Sequence, residues 1–304
     1  SFRGRKAVRS EGEGCVIRRP PDGRKNETRY WRVASAPDLL LFRARFTDYS
    51  FRRHAHAGYA IGVIEEGVER FRHRGSDHAV VPGQVVTINP GEVHDGEPGT
   101  REGFRYRMMY PSEGLVADIL SSDGFARPNV HFVSATADDP DLARAFVDCH
   151  RLLERSDSRD DLWEQQRLST VLKTLFERWG QRDRLDGSRT ENERAIRAAA
   201  DYIRANAARG ILLRDVATIA GFSKYHFLRS FSKVLGISPH AYRMLCCVER
   251  AKAFILGGGT IAAAAAEAGF ADQSHCTRWF RAVYGVAPGE FRRSCLSGKQ
   301  FRSR

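Results

Sequence analysis

The sequence predicts a two-domain α+β chain: an amino-terminal antiparallel β-barrel of the jelly-roll type with a helical pair, then an all-α domain built on a tandem helix-turn-helix. Three observations predict it. Between Trp31 and Pro111, short apolar or alternating runs are broken by turn signals at regular intervals. Residues 139–179 carry apolar side chains at helical spacing. Finally, the segment Ala220 to Arg243 recurs in Ala268 to Arg292, and a length of 304 residues leaves room for two domains and a linker.

Residues 1–30 are rich in Arg, Gly, Glu and Pro without periodicity and read as a disordered basic tail. Residues 31–120 form the barrel, with strands expected at Leu39–Phe46, Tyr59–Ile64, Glu69–Arg72, Val85–Asn89 and Phe104–Tyr110. Glu66-Gly67, Arg74-Gly75, Pro82-Gly83 and Pro90-Gly91 supply the turns. Residues 121–180 read as a helical segment. Leu142, Phe146, Cys149 and Leu153 share one face of a helix over 139–156, and Leu162, Trp163, Leu168, Leu172 and Phe176 recur in a second over 160–179. That much apolar surface needs a partner, either the barrel or the same pair of a second copy. Residues 181–190 are polar and contain Gly187-Ser188, the composition of a flexible linker. The helical domain follows over 191–295 and a short tail over 296–304.

Each copy of the repeat is a short apolar helix, a glycine turn, a second amphipathic helix and a stopping glycine. In the first copy Leu212, Val216, Ile219 and Ala220 form the apolar stripe, Gly221 breaks it, and Ser223 caps the helix that buries Phe227, Phe231 and Val234. Thr260 caps the alanine-rich first helix of the second copy, whose second helix buries Cys276, Phe280 and Val283. The faces left outside carry Lys224, Tyr225, Leu228 and Arg229 in one copy and Gln273, Ser274, Thr277 and Arg278 in the other. Arginine can grip guanine in bidentate fashion, glutamine can do so with adenine, and hydroxyls bond bases or phosphates. The intervening helix, Pro239 to Leu256, would span about 27 Å at about 1.5 Å per residue, close to the roughly 34 Å between successive major-groove faces of B-DNA.

Read together, Gly-Phe-Ser-x-x-x-Phe-x-Arg-x-Phe with Gly-x-Ser-Pro-x-x-Tyr-Arg, then Gly-Phe-x-Asp-Gln-Ser-x-x-x-Arg-x-Phe with Gly-x-x-Pro-x-x-Phe-Arg, resembles the AraC/XylS family of transcription regulators. The resemblance implies a seven-helix DNA-binding domain with recognition helices over Ser223–Leu235 and Asp272–Tyr284. Two positions depart from the family pattern. Cys276 stands where a phenylalanine or leucine is usual, and Leu228 where a polar residue is common, which suggests an apolar contact such as a thymine methyl.

Charge follows the same division. Residues 191–304 hold 18 Lys and Arg against 8 Asp and Glu, and the first 30 hold 9 against 4, while residues 31–190 hold 22 against 25. The basic excess therefore sits on the repeat and the leading tail, as a phosphate backbone would require. The six cysteines show no Cys-x-x-Cys spacing and read as reduced thiols of a soluble, cytoplasmic protein. No apolar run approaches the roughly 18 residues of a membrane span.

In the barrel, His54-Ala55-His56, Gly67, Pro82-Gly83 and Asn89-Pro90-Gly91-Glu92-Val93-His94 resemble the cupin barrel, and with Phe104–Pro111 the sensor domains of AraC-type regulators. Cupin enzymes hold a metal with two histidines, a glutamate and a third histidine. Here His54, His56 and His94 match the histidines, but Ala60 and Ile61 stand where the glutamate should be. Three imidazoles can bind Zn²⁺, Fe²⁺ or Ni²⁺ with an open position. The missing anion weighs against a redox metal, so the expectation is no cofactor and histidines that line an effector pocket. His54, His56, Tyr59, Arg72, His94 and Tyr106 are the candidates to point into it.

The resulting expectation is a sequence-specific DNA-binding regulator, an activator, that answers to a small-molecule effector bound in the barrel. Its partners would be double-stranded DNA, the effector and RNA polymerase, with a homodimer as a further expectation and no membrane. The alternative is a cupin metalloenzyme, an isomerase or dioxygenase, fused to a DNA-binding domain.

Overall fold

The computed structural model describes residues 26–121, 130–155, 161–182 and 190–296. The tail up to residue 25, most of the linker (183–189) and residues 297–304 lie outside the described residues. In chain order the first nine strands are β1 (Glu27–Val33), β2 (Ala36–Phe46), β3 (Phe51–His54), β4 (Ala60–Gly67), β5 (Glu69–His73), β6 (Ser76–Val80), β7 (Gln84–Ile88), β8 (His94–Pro98) and β9 (Phe104–Pro111). Helix α1 (Glu113–Ser121), strands β10 (Val130–Phe132) and β11 (Thr136–Asp138), the helical pair α2 (Pro140–Arg155) and α3 (Asp161–Trp179), and β12 (Gly180–Arg182) complete the first half. The second half is helical: α4 (Glu191–Ala205), α5 (Leu213–Ile219), α6 (Lys224–Leu235), α7 (Pro239–Leu256), α8 (Ile261–Glu267), α9 (Gln273–Tyr284) and α10 (Pro288–Leu296).

Ten of the described strands form two open facing sheets in the jelly-roll manner and not a closed ring, six in the order β1-β2-β9-β4-β7-β11 and four in the order β3-β8-β5-β6, while β10 and β12 pair with each other. Period-two alternation divides the large sheet's side chains. Leu40, Phe42, Ala44 and Phe46 of β2, Ala60 and Ile64 of β4, and Tyr106 and Met108 of β9 face the small sheet. Leu39, Leu41, Ile61, Val63 and Met109 face the other way, onto Leu142, Phe146, Cys149 and Leu153 of α2 and Leu168, Leu172 and Phe176 of α3. The helical pair thus finds its partner in the barrel. Two expectations are corrected at the start of the chain and in the first copy of the repeat. β1 begins at Glu27, inside the stretch read as tail, because Tyr30 is buried against the helical domain. Leu212 and Ile219 are 52% and 46% exposed, since Leu212 precedes a seven-residue helix that buries Val216 and Ala217.

Between α2 and β9 the His150 ring is fully buried, its Nε2–H donating to Met108 O (3.2 Å) and its Nδ1 accepting from Arg107 Nη1 (3.1 Å). Burial, with the Arg107 charge beside it, holds the imidazole down from 6.5 to about 3. As pH falls through 6.5 the unfolded chain takes up a proton that the folded chain refuses until about 3, so stability at this site is full above 6.5 and drains away below it. Urea unfolding between pH 7 and pH 4 should show His150→Gln with a shallower loss of stability than the parent; an identical slope would remove His150 from the account.

The seven helices α4–α10 of the second half match the number that the resemblance implied. A capping box at Thr190 and Glu193 starts α4, and Ser223, Ser238, Thr260 and Asp272 each cap the next helix through a side-chain oxygen. Both predicted stopping glycines are left-handed, Gly236 at φ 78° and Gly285 at φ 71°. Tyr242, Leu245, Val248, Ala251 and Ile255 of α7 are all buried, joining the two copies around one shaft. The barrel's inner cluster and this helical core run together as one body of buried side chains.

Candidate DNA-binding and effector sites

The eight outward residues of the repeat occupy matching places. In each recognition helix they fall on the first, second, fifth and sixth positions: Lys224, Tyr225, Leu228 and Arg229 in α6, and Gln273, Ser274, Thr277 and Arg278 in α9. Lys224, Tyr225, Arg229, Gln273, Ser274 and Arg278 are exposed; Leu228 and Thr277 are half-buried. Tyr225 is 87% exposed, a large ring that contributes nothing to the core. The amino-terminal ends of recognition helices are the parts that reach base edges, and both ends are open here. Behind them, the departure at Cys276 is a fully buried core position beside the fully buried Phe280.

The carboxy-terminal ends of the same two helices are held by the barrel. Arg53 Nη1 donates to Gly236 O at 2.9 Å, and the Val93 side chain lies against Gly236. Tyr49 Oη donates to Arg281 O at 2.7 Å, and the Phe46 and Phe51 rings abut Gly285. Tyr30 of β1 stacks on Phe42 at 4.0 Å and donates from Oη to Tyr284 O at 2.9 Å. A left-handed glycine at each helix end permits this close approach.

Four of the six candidate effector residues converge. His54, His56, His94 and Tyr106 line one interior cavity with Glu69, Tyr110 and Val283 of α9, and only about 30 Å³ of space remains between them. Burial lowers the imidazoles, His54 to about 3 and His94 to about 4, and raises the Tyr106 phenol, so all are neutral at pH 7. Burial also pushes the Glu69 carboxyl up to about 8. Tyr59 and Arg72 do not join them. Tyr59 faces the helical layer, where its Oη donates to Val130 O at 2.6 Å and its ring meets Phe176. Arg72 is on the outward parity of β5 with Asp77 as its neighbour, while Glu69, Phe71 and His73 are the inward residues. Glu69 was legible in that alternation, since Phe71 marks the buried parity.

A larger space of about 450 Å³ opens where the barrel end meets α7. Arg32, Asp38, Leu40, His56, Tyr110 and Ser112 line it from the barrel, and Lys252, Ala253, Leu256 and Tyr284 from the helical side. Lys252 Nζ lies 2.6 Å from Glu249 Oε2 and 5.4 Å over the Tyr284 ring, and Tyr284 Oη donates to Glu249. Burial, then the Glu249 charge, raises the Tyr284 phenol, which stays protonated. The lining mixes apolar side chains such as Leu40 and Leu256 with Arg32 and Asp38 on the barrel side and Lys252 on the helical side. Lys252 carries no sequence signal for this place, because the place exists only once the two halves dock.

Comparison with known proteins agrees with this architecture. Residues 36–172 match the AraC-like ligand binding domain and residues 216–294 a helix-turn-helix domain. The uncharacterized HTH-type transcriptional regulator YbfI of Bacillus subtilis is 24% identical over 251 residues, 83% of this chain and 90% of that protein. The transposon Tn10 TetD protein of Escherichia coli is 34% identical over 96 residues, 31% of this chain and 70% of that protein. Among solved structures, unsaturated-fatty-acid-bound ToxT from Vibrio cholerae shares the fold with a TM-score of 0.56 at 12% identity, covering 90% of this chain and 99% of ToxT. With a sensor domain in front, a doubled reading head behind and relatives that span both, the chain belongs to the AraC family of transcription regulators.

Proposed function

We propose that this regulator is an activator that reads DNA with Lys224, Tyr225, Leu228 and Arg229 of α6 and Gln273, Ser274, Thr277 and Arg278 of α9, and that its effector is an organic acid with an apolar tail. The single observation that carries the effector reading is the cleft of about 450 Å³ at the barrel end, lined by Arg32 and Leu40 from the barrel and by Lys252 and Leu256 from α7. A carboxylate there would add to the partners Lys252 and Arg32 already hold, Glu249 for the first and Pro37 O for the second, while the tail lies along Leu40 and Leu256. The fatty-acid-bound ToxT structure, on the same two-domain fold, supports that chemistry. Because barrel and α7 each supply a wall, a ligand there has different contacts in the docked and undocked arrangements, which is the condition for coupling effector to DNA.

The same reading has RNA polymerase as the partner of the DNA-bound form, the cytoplasm as the working compartment and no catalytic step. The space of about 30 Å³ beside the barrel histidines leaves no room for an organic substrate, which favours the regulator over the cupin enzyme. A homodimer is part of the proposal, with Leu162 and Trp163, 77% and 48% exposed at the start of α3, as the contact; sedimentation of the full chain reads it. The effector test is calorimetry with a long-chain unsaturated carboxylate. Lys252→Ala should weaken its binding by about 10-fold, the scale of one charge-assisted hydrogen bond. Unchanged affinity in the folded variant would place the ligand elsewhere.

A further inference from the structure

We propose that His54, His56 and His94 form a site for one divalent transition-metal ion of the Zn²⁺ type, seated inside the barrel where it meets α9. The three rings come together from separate strands and a loop. His54 and His94 are register partners across β3 and β8, with ring centroids 4.4 Å apart, and His56 lies 4.8 Å and 5.4 Å from them. One donor nitrogen from each falls within 4.8 Å of the other two. Tetrahedral zinc, with bonds of about 2.0–2.1 Å, sets its ligand nitrogens about 3.3 Å apart, so ring rotations that close the set by about 1.5 Å complete it.

The hydrogen bonds around the rings prepare them as ligands. His54 Nδ1–H donates to Arg52 O at 2.7 Å and His94 Nδ1–H to Glu92 O at 3.1 Å. Such a bond fixes the tautomer and leaves the Nε2 lone pair free to face a metal. His56, 6% exposed, has a buried Nδ1 with no hydrogen-bond partner among the described residues. A polar atom orphaned in a packed interior is costly, and an ion beside it removes the cost. The remaining space of about 30 Å³ fits an ion with a water and nothing larger.

Carboxyl groups stand near the three rings: Glu69 lines the same cavity from β5 and Asp95 lies at its edge. The glutamate missing at Ala60 and Ile61 thus has a carboxyl counterpart on a different strand, placed to bond to a water or ligand of the ion. Imidazole-rich sites suit Zn, Ni, Cu and Fe, and an outer-sphere carboxylate favours retention of a charged ion without dictating redox chemistry. The His56 ring lies 5.8 Å from Tyr284 and Val283 lines the cavity, so the ion would sit against the last turn of the second recognition helix.

The inference is independent of the organic-acid cleft and is tested on the full chain stripped of metal, with Co²⁺ as the optical probe and Zn²⁺ as competitor. The expected result is visible d–d absorption that saturates at one equivalent, is bleached by Zn²⁺, and disappears in His54→Ala and His94→Ala. His78→Ala, on β6 outside the cavity, should keep it. Circular dichroism in metal-free buffer establishes that each variant is folded; should the first two fail, His56→Ala with a loss of at least 10-fold in competition against a chelator is the readout. A folded parent chain that gives no saturable Co²⁺ spectrum, or folded histidine variants that bind as the parent does, would overturn the site.

Discussion

Replacing Arg278 by alanine should lower affinity for the operator by about 10- to 100-fold, the worth of one bidentate base contact, while binding to random duplex falls by no more than about threefold. The expectation rests on placement. Arg278 is exposed in the sixth position of α9, one turn behind Gln273 and Ser274, and its counterpart Arg229 holds the same position of α6. Asp272, which caps α9 by accepting from His275 N at 2.7 Å, sits next to the reading face without closing it. An arginine that only neutralised phosphate would lower both affinities together and reduce the salt slope by about one. Gel-shift titrations of parent and variant against operator and random DNA, at two salt concentrations, separate the cases. Equal losses on both DNAs would remove Arg278 from base reading.

The second large effect concerns two glycines that occupy the same place in the repeat. Gly221→Ala should destabilise by about 1–2 kcal/mol, the cost of a left-handed non-glycine residue, whereas Gly269→Ala should lose about 3–5 kcal/mol, the range of severe backbone damage. Both turns need positive φ, 70° at Gly221 and 83° at Gly269. Around Gly221 an added Cβ meets nothing within 4 Å, but at Gly269 it would stand 2.5 Å from Ala208 O and 2.6 Å from Ala208 Cα. Those are backbone atoms of the segment after α4 and cannot rotate aside. Urea unfolding of the two variants reads the difference directly; equal midpoints would mean that the second turn relaxes as freely as the first.

Much of this molecule was legible because its information is local. The repeat, the caps at Ser223 and Thr260, the stopping glycines at 236 and 285 and the buried stripe of α7 all lie within a few turns of chain, where period and turn chemistry speak plainly. Strands β1, β3, β6 and β8 of the barrel were missed, as were β10, β11, β12 and helix α1; most of these span too few residues for periodicity to declare itself. Parity explains the pocket. His54, His56, His94 and Tyr106 face inward as expected, but Tyr59 and Arg72 fall on the opposite parity of their segments, and β5 sends Glu69 and Phe71 into the cavity instead. Tyr30, Arg32, Lys252 and Tyr284 become a group only across the seam, between positions more than 200 residues apart, and no short window of sequence joins them.

Because Gly236 and Gly285 are both gripped by one barrel edge, through Arg53 and Val93 at the first and Phe46 and Phe51 at the second, the two reading heads cannot swivel independently while that grip holds. On the proposed reading of DNA by α6 and α9, the barrel would act as a ruler of rotational phase along the duplex. Half-sites in step with the roughly 10.5-base-pair helical turn meet both heads at once. Shift one by half a turn and it lies on the far side of the DNA, out of reach unless a cap is released. Base pairs that no side chain touches would in this way be selected by a contact inside the protein.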